Sequence, residues 1–426
     1  MLPCPKECRY LPPMLMLLCA IAAAQSPSRP PRLRPRMSVP TGAPSVPVSP
    51  GSWSQLAKLT LNQFSESLGE SVAVSGNTVV AGQFPIRSKL AYVYQGSSAG
   101  WNNTLPVATL ASPPSQQRFN AVVAIDGDTI VIGSAAFESG DGYVYVYVKP
   151  AGGWTDMFPT ATLTPSGTND GNFGGTVSIS GDTIVVGGTE YNTTDDAYVF
   201  VKPAGGWTNM TETARLTASD ELAGEEFSAT VAVSGNTIAV GAPSLNKNPG
   251  KAYVFVEPAG GWTNMTQTGM LKASDALGDA RVGASLAIDG NNIIAGAPNP
   301  GNAVPGAAYI FTKPASGWRN MTQTAELSAA DGAAFNFFGG SVSISGTIAI
   351  VGASFRSAAP NGNQGGIYVF QQPAGGWQTA SSSTVLTASD AHHDDDFGAS
   401  LSINGNTVVG GSDYLLPNAA YVFALP

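Results

Sequence analysis

"FSATVAVSGNTIAVGAP", residues Phe227–Pro243, holds two runs of alternating apolar and polar residues joined at Ser234-Gly235-Asn236. A period of two predicts half-buried β-strands, and a joint built on Gly and Asn predicts a tight hairpin whose backbone enters positive φ. "ETARLTAS" (Glu212–Ser219) precedes this pair and "AYVFVEP" (Ala252–Pro258) follows it, each a further short alternating run. The polar loops "DELAGEE" and "SLNKNPGK" separate them. One unit is therefore four short antiparallel strands.

The unit repeats along the chain. "VKPAGGWTNMT" from Val201 returns as "VEPAGGWTNMT" from Val256 and "TKPASGWRNMT" from Thr312. The seven tryptophans, Trp53, Trp101, Trp154, Trp207, Trp262, Trp318 and Trp377, lie 48, 53, 53, 55, 56 and 59 residues apart. Hairpin joints of the SGNT type recur in all seven units, and no segment carries a helical stripe longer than a turn. Seven four-stranded units predict an all-β, seven-bladed β-propeller. The PAGGW turn is read as structural, with its indole covering the blade against the next one.

The ends of the chain test this expectation. The last repeat supplies "FGASLSIN", "NTVVGGS" and "AYVFALP" and then stops one strand short. The missing strand stands at the other end as "WSQLAKLTL", Trp53–Leu61. The N-terminal strand should pair into the last blade, removing an open edge and tying the ring shut.

Ahead of the repeats, "MLMLLCAIAAA" (Met14–Ala24) is an apolar run behind Lys6 and Arg9, with small residues at Ala22 and Ala24. Residues 1–24 are thus expected to be a signal peptide, and the run falls short of the ~20 residues needed to span a bilayer. Residues 25–52 are rich in Pro and Ser with four Arg, which predicts a linker. The propeller occupies 53–426. All three cysteines (Cys4, Cys8, Cys19) precede the repeats, so the exported protein must rest on its core without disulfides. The net charge of −9 becomes about −14 over the repeats alone, where 14 basic residues face 28 acidic ones. That argues against a nucleic-acid partner.

With these residues laid out, the pattern resembles the FG-GAP repeat of the integrin α-subunit propeller. The FG position reads Leu68-Gly69, Phe119-Asn120, Phe173-Gly174, Phe227-Ser228, Val282-Gly283, Phe338-Gly339 and Phe397-Gly398. The GAP position is complete at Gly241-Ala242-Pro243 and Gly296-Ala297-Pro298, and close at Gly352-Ala353-Ser354. Gly82, Gly133, Gly187 and Gly410 are taken as its remaining glycines. The resemblance implies a propeller that serves recognition or adhesion. Several integrin-type blades also carry a calcium loop, but the equivalent connection here is a hairpin. Asp126-Gly127-Asp128 is too short to supply the six to eight oxygens calcium takes. No metal or cofactor is therefore expected, calcium remaining an alternative through the resemblance.

Short hairpins and PAGGW turns fall on one face of an antiparallel propeller. The loop before FG and the loop after GAP fall on the other, and these differ from unit to unit. A repeat scaffold places function where its repeats diverge. Five loops after GAP carry an aromatic residue, Phe84, Phe137, Tyr191, Phe355 and Tyr414, which a ring would set as a rim around the central channel. Arg87, Glu138 and Arg356 stand beside them. By resemblance, integrin propellers hold a partner with aromatics on this face; the alternative is that each ring only packs on its own loop.

The acidic loop "ASDAHHDDDFG" gathers His392 and His393 with four aspartates, a possible metal arrangement that a merely solvated loop explains equally. With both histidines in one loop, no catalytic triad suggests itself, and a non-enzyme is expected. Asn102, Asn192, Asn209, Asn264 and Asn320 begin Asn-X-Thr sequons, acceptors for N-glycans in a eukaryotic secretory pathway. The expected protein is a secreted, monomeric binding or adhesion propeller for an extracellular protein or peptide. The alternatives are a lectin-like binder of extracellular glycans and an extracellular hydrolase or lyase.

Overall fold

The computed structural model describes residues 53–61, 68–83, 89–97, 100–101, 105–113, 121–135, 142–167, 172–188, 195–222, 224–244, 248–299, 304–357, 362–392, 394–412 and 419–424. Among them there is no helix, and hence none long and apolar enough to cross a membrane. Seven small sheets form the molecule. Their innermost strands touch in succession, Val72–Ser75, Val122–Asp126, Thr176–Ser180, Thr230–Ser234, Ser285–Asp289, Ser341–Ser345 and Ser400–Asn404, and the last touches the first. The result is a closed seven-bladed propeller. We number the blades 1 to 7 in that order.

Blade 4 illustrates the unit. Thr230–Ser234, Thr237–Ala242, Lys251–Val256 and Gly269–Lys272 pair antiparallel from the axis outward. The first hairpin closes with Ser234 opposite Thr237, and Gly235 takes φ 54. That hairpin does more than turn. The Gly235 N–H donates to Ser180 Oγ of blade 3 at 3.1 Å, and every other hairpin repeats the contact. Gly127 donates to Ser75, Gly181 to Asp126, Gly290 to Ser234, Gly346 to Asp289 and Gly405 to Ser345. Gly76 of blade 1 donates to Asn404 of blade 7 at 3.1 Å and completes the circle. This explains why the residue before the hairpin glycine is always Ser, Asp or Asn.

The FG and GAP motifs meet across each blade interface. A Cβ built on Gly296 would lie 2.0 Å from the carbonyl oxygen of Gly339 in the next blade, and one on Gly352 would lie 2.1 Å from that of Gly398. Only glycine allows that approach. In blade 7 the residue so placed is Gly411, 1.9 Å from Gly69 O by the same measure and opposite Ser400. The GAP glycine there is Gly411 rather than Gly410: it follows the hairpin glycine Gly405 by six residues, as Gly241 follows Gly235, so the hairpin register is the same as in blade 4.

The core is a set of clusters, each straddling two neighbouring blades. The phenylalanine of FG anchors them: Phe227 meets Tyr253 and Phe255 edge-on at 5.4 and 6.3 Å, and Phe338 meets Tyr368 at 5.2 Å. Such edge-to-face pairs add about 0.5–1.5 kcal/mol to the area they bury. The tryptophans are buried too, but not as expected. Trp154 of blade 2 clusters with Val93, Ala108 and Leu110 of blade 1, so the indole packs on the preceding blade, not the next. The chain doubles back past that blade before starting its own outer strand.

The same detour adds strands the sequence concealed. Met265–Thr266 pairs parallel to the outer strand Ala214–Thr217, Met321–Thr322 to Gly269–Lys272, and Ala380–Ser382 to Ala325–Ala329. Three sheets therefore have five strands. The ring closes as the ends of the chain predict: Ser54–Leu59 pairs antiparallel with Ala420–Ala424, from Ser54 opposite Ala424 to Leu59 opposite Ala420.

Candidate functional site

The variable face begins with a repeated clamp. In the loop before FG, Asp220 accepts the Tyr253 hydroxyl at 2.8 Å and Lys251 at 3.2 Å. Asp390 accepts Tyr421 at 2.9 Å and Lys58 at 2.5 Å, and Asp331 accepts Tyr368 and Arg356. Burial opposes ionisation of each aspartate, but the tyrosine and cation outweigh it and hold the carboxyl below its ordinary value. Each cation also lies over its tyrosine ring, 5.2 to 5.9 Å from the centroid. The clamp ties the root of each loop to the AYVF strand.

Beyond the clamp, the loops turn apolar side chains outward. Leu222 of the loop leading into blade 4 is 66% exposed, Leu277 before blade 5 is 78% exposed and Phe335 before blade 6 is 51% exposed. Val304, after the GAP strand of blade 5, is 50% exposed. Four large apolar side chains thus stand on one face of three consecutive blades. Phe335 holds this position at φ 66, a conformation rare for an aromatic residue.

Inside the loops, the axis of the ring opens into a cavity of about 240 Å³ lined by all seven blades. Two of its charged lining residues share one register position, the residue just before FG: Glu226 in blade 4 and Arg281 in blade 5, with Phe337 following in blade 6, while Glu70 lines it just after the FG pair of blade 1. Glu226, Arg281 and Phe337 have left-handed backbone, φ 56, 59 and 58. Burial pushes the Glu226 carboxyl up against the pull of Arg281, and burial lowers Arg281 against the pull of Glu226 and Asp279. The two attract, yet no hydrogen bond and no ion pair within 4.0 Å joins them. Phe355 packs edge-on against Phe337 at 4.8 Å and 90°.

A family model described as FG-GAP repeat matches five times, at residues 158–200, 210–255, 265–311, 321–370 and 381–423. The chain belongs to the FG-GAP repeat family. No curated protein matches it.

Against this FG-GAP propeller, the residues picked from sequence fare unevenly. Phe355 packs edge-on against Phe337, which lines the cavity, and is not itself among the residues lining it. Arg356 is not free beside the rim: its Nε and Nη2 hold Asp331 at 3.2 and 2.9 Å and its Nε reaches the Tyr368 hydroxyl at 3.0 Å. Phe84, Arg87, Phe137, Glu138, Tyr191 and Tyr414 lie outside the described residues, as do Asn102, Asn192 and His393. His392 is exposed, with Nδ1 3.8 Å from Asp395. Both acids of the Asp126–Asp128 hairpin are engaged, by Gly181 N–H and by Lys149 at 3.1 Å. Among the described residues, no three His, Cys, Asp or Glu side chains gather to hold a metal ion.

The described sequon asparagines of the FG-GAP repeats have a structural task. Asn209 Oδ1 accepts the Thr162 N–H at 2.8 Å, Asn264 the Arg215 N–H at 2.8 Å and Asn320 the Met270 N–H at 2.9 Å. Each contact clips the detour strand to the previous blade. Asp156 does the same for Thr109 at 2.7 Å, since only an acceptor is needed. Sequence reasoning missed Leu222, Leu277, Glu226 and Arg281 for one reason. It sought function in aromatics after GAP, whereas the divergent residues before FG are the ones turned outward or into the axis.

Proposed function

We propose that this FG-GAP propeller is an exported, non-catalytic recognition module that binds an extracellular protein or peptide on its variable face. The observation that carries this reading is the apolar group Leu222, Leu277, Val304 and Phe335, exposed on three consecutive blades. Large apolar side chains gathered on one face of a scaffold are a feature that protein contact sites use. Three of the four are aliphatic. Sugar faces are met best by flat aromatic rings, so the patch suits a protein ridge better than a glycan. The apolar run Met14–Ala24 supports export. Asn209, Asn264 and Asn320 are exposed, and with Oδ1 engaged their Nδ2 atoms would carry glycans on the outer edge of the ring, clear of the variable face.

The test compares the full chain with a Leu222→Ser/Leu277→Ser/Phe335→Ser variant against purified extracellular-matrix proteins and a glycan array. A matrix-protein signal weakened about tenfold or more in the variant is expected, the size of one lost anchor residue. Its thermal stability should match the wild type, because the three side chains are exposed. Glycan binding without protein binding would replace this reading with the lectin alternative, and equal binding by the variant would move the contact elsewhere.

A further inference from the structure

We infer that the axial cavity is a binding site for a small zwitterion of the α-amino acid type, held between Glu226 and Arg281. The two residues occupy the same register position of neighbouring blades and line one cavity. Opposite charges withdrawn from water ordinarily close into an ion pair, yet these two attract without touching. Their left-handed backbones, φ 56 and 59, fix where each side chain leaves the wall. The same register is left-handed at Phe337 and Asp396 too, φ 58 and 50, so this backbone belongs to the repeat and sets Glu226 and Arg281 alike. One cavity is thus lined by a carboxylate and a guanidinium that lie more than 4.0 Å apart.

The chemistry of that lining selects its occupant. An ammonium group donates to the Glu226 carboxylate, and a carboxylate accepts the planar guanidinium fork of Arg281. A lone cation meets Glu226 but is repelled by Arg281, and a lone anion meets the reverse. A zwitterion satisfies both and brings no net charge into the cavity. Glu70 of blade 1 also lines the cavity, three blades away from both. Phe337, backed edge-on by Phe355, supplies an apolar wall for the substituent on the α-carbon.

Size agrees. About 240 Å³ exceeds the ~150 Å³ that accepts benzene and falls short of the ~300 Å³ where drug-sized pockets begin. That range fits a free amino acid and leaves a folded peptide or an oligosaccharide outside. The site lies at the axis within the loops and does not rest on the protein-partner reading of their tips.

Isothermal titration of the full chain with glycine, alanine and phenylalanine tests the site, with acetate and methylammonium as its two separated halves. The amino acids should bind and the halves should not. Glu226→Gln and Arg281→Gln should each weaken binding about tenfold or more, the loss of one charge-assisted hydrogen bond. The Leu222→Ser/Leu277→Ser/Phe335→Ser variant should bind amino acids as the wild type does, whatever it does to a protein partner. Glu226→Gln preserves shape while Arg281→Gln shortens the side chain, and circular dichroism confirms that each variant is folded. The inference is overturned if no amino acid binds the wild type at about 10 mM, ten times the millimolar end of ordinary affinities. It is overturned equally if both folded variants bind as the wild type does.

Discussion

Glu326 occupies the place that a cation fills in other blades. Opposite the tyrosine of the AYVF strand stand Arg215 in blade 3 and Lys58 in blade 7, but in blade 5 Tyr309 faces Glu326. Tyr309 and Glu326 share Asp275, so two carboxyls crowd one hydroxyl. Burial, then the charge of Asp275, pushes Glu326 up to about 7, and burial pushes Glu221 up to about 7 as well. Both keep a proton that the unfolded chain releases near 4.5. Their contribution is therefore complete below that pH and is lost as pH rises through about 7. Thermal unfolding should show a lower midpoint at pH 8 than at pH 5, and Glu326→Gln should flatten the slope. Glu326→Arg should go further and raise the midpoint at pH 8 by restoring the cation of blades 3 and 7. A variant with the wild-type slope would mean that Glu326 titrates normally. None of this was legible in the sequence, because Asp275 and Tyr309 meet only when the loop before FG folds back on a strand far along the chain.

Strands and hairpins were more legible than what joins them. Period-two alternation located every blade, since each strand buries one side and the signal is local. The glycines were not separable in the same way. Gly290 and Gly296 stand six residues apart in blade 5, one in the hairpin and one in GAP, and the sequence gives them equal weight. In space, Gly290 needs its φ of 55 but has nothing within 4 Å of a built Cβ, whereas Gly296 would drive a Cβ into Gly339 O and Ser285 Oγ. Gly290→Ala should cost about 1–2 kcal/mol, the left-handed penalty alone. Gly296→Ala should cost about 3 kcal/mol, the upper end for overpacking, because a neighbouring backbone must move. Urea denaturation of the two variants decides the matter, and equal midpoints would mean that the blade interface relaxes freely. The fifth strands were hidden for a related reason. Met-Thr at two of them and Ala-Ser-Ser at the third are too short to alternate, and each is a strand only because a neighbouring blade offers it an edge.

At the scale of the whole molecule, closure was readable from the two ends, and the structure adds how firmly it is made. Besides its ladder with Ala420–Ala424, the first strand sends Lys58 to Asp390, and Gln55 accepts the Ser389 N–H at 2.9 Å. Removing residues 53–61 should lower the unfolding midpoint and bare the edge of Ala420–Ala424, which then pairs with other copies. Light scattering should show self-association of the shortened chain, and a peptide of residues 53–61 added in excess should reverse it by strand addition. A shortened chain that stays monomeric with an unchanged midpoint would place the closure in the hairpin circle instead.

Because Ser54 lies opposite Ala424, both ends of the propeller leave side by side, from the face that carries the hairpins and PAGGW turns. Anything joined to either end is a stalk rising from the underside. Fixed to a surface that way, the molecule stands like a dish on its stem, with Leu222, Leu277 and the mouth of the axis facing away from whatever holds it.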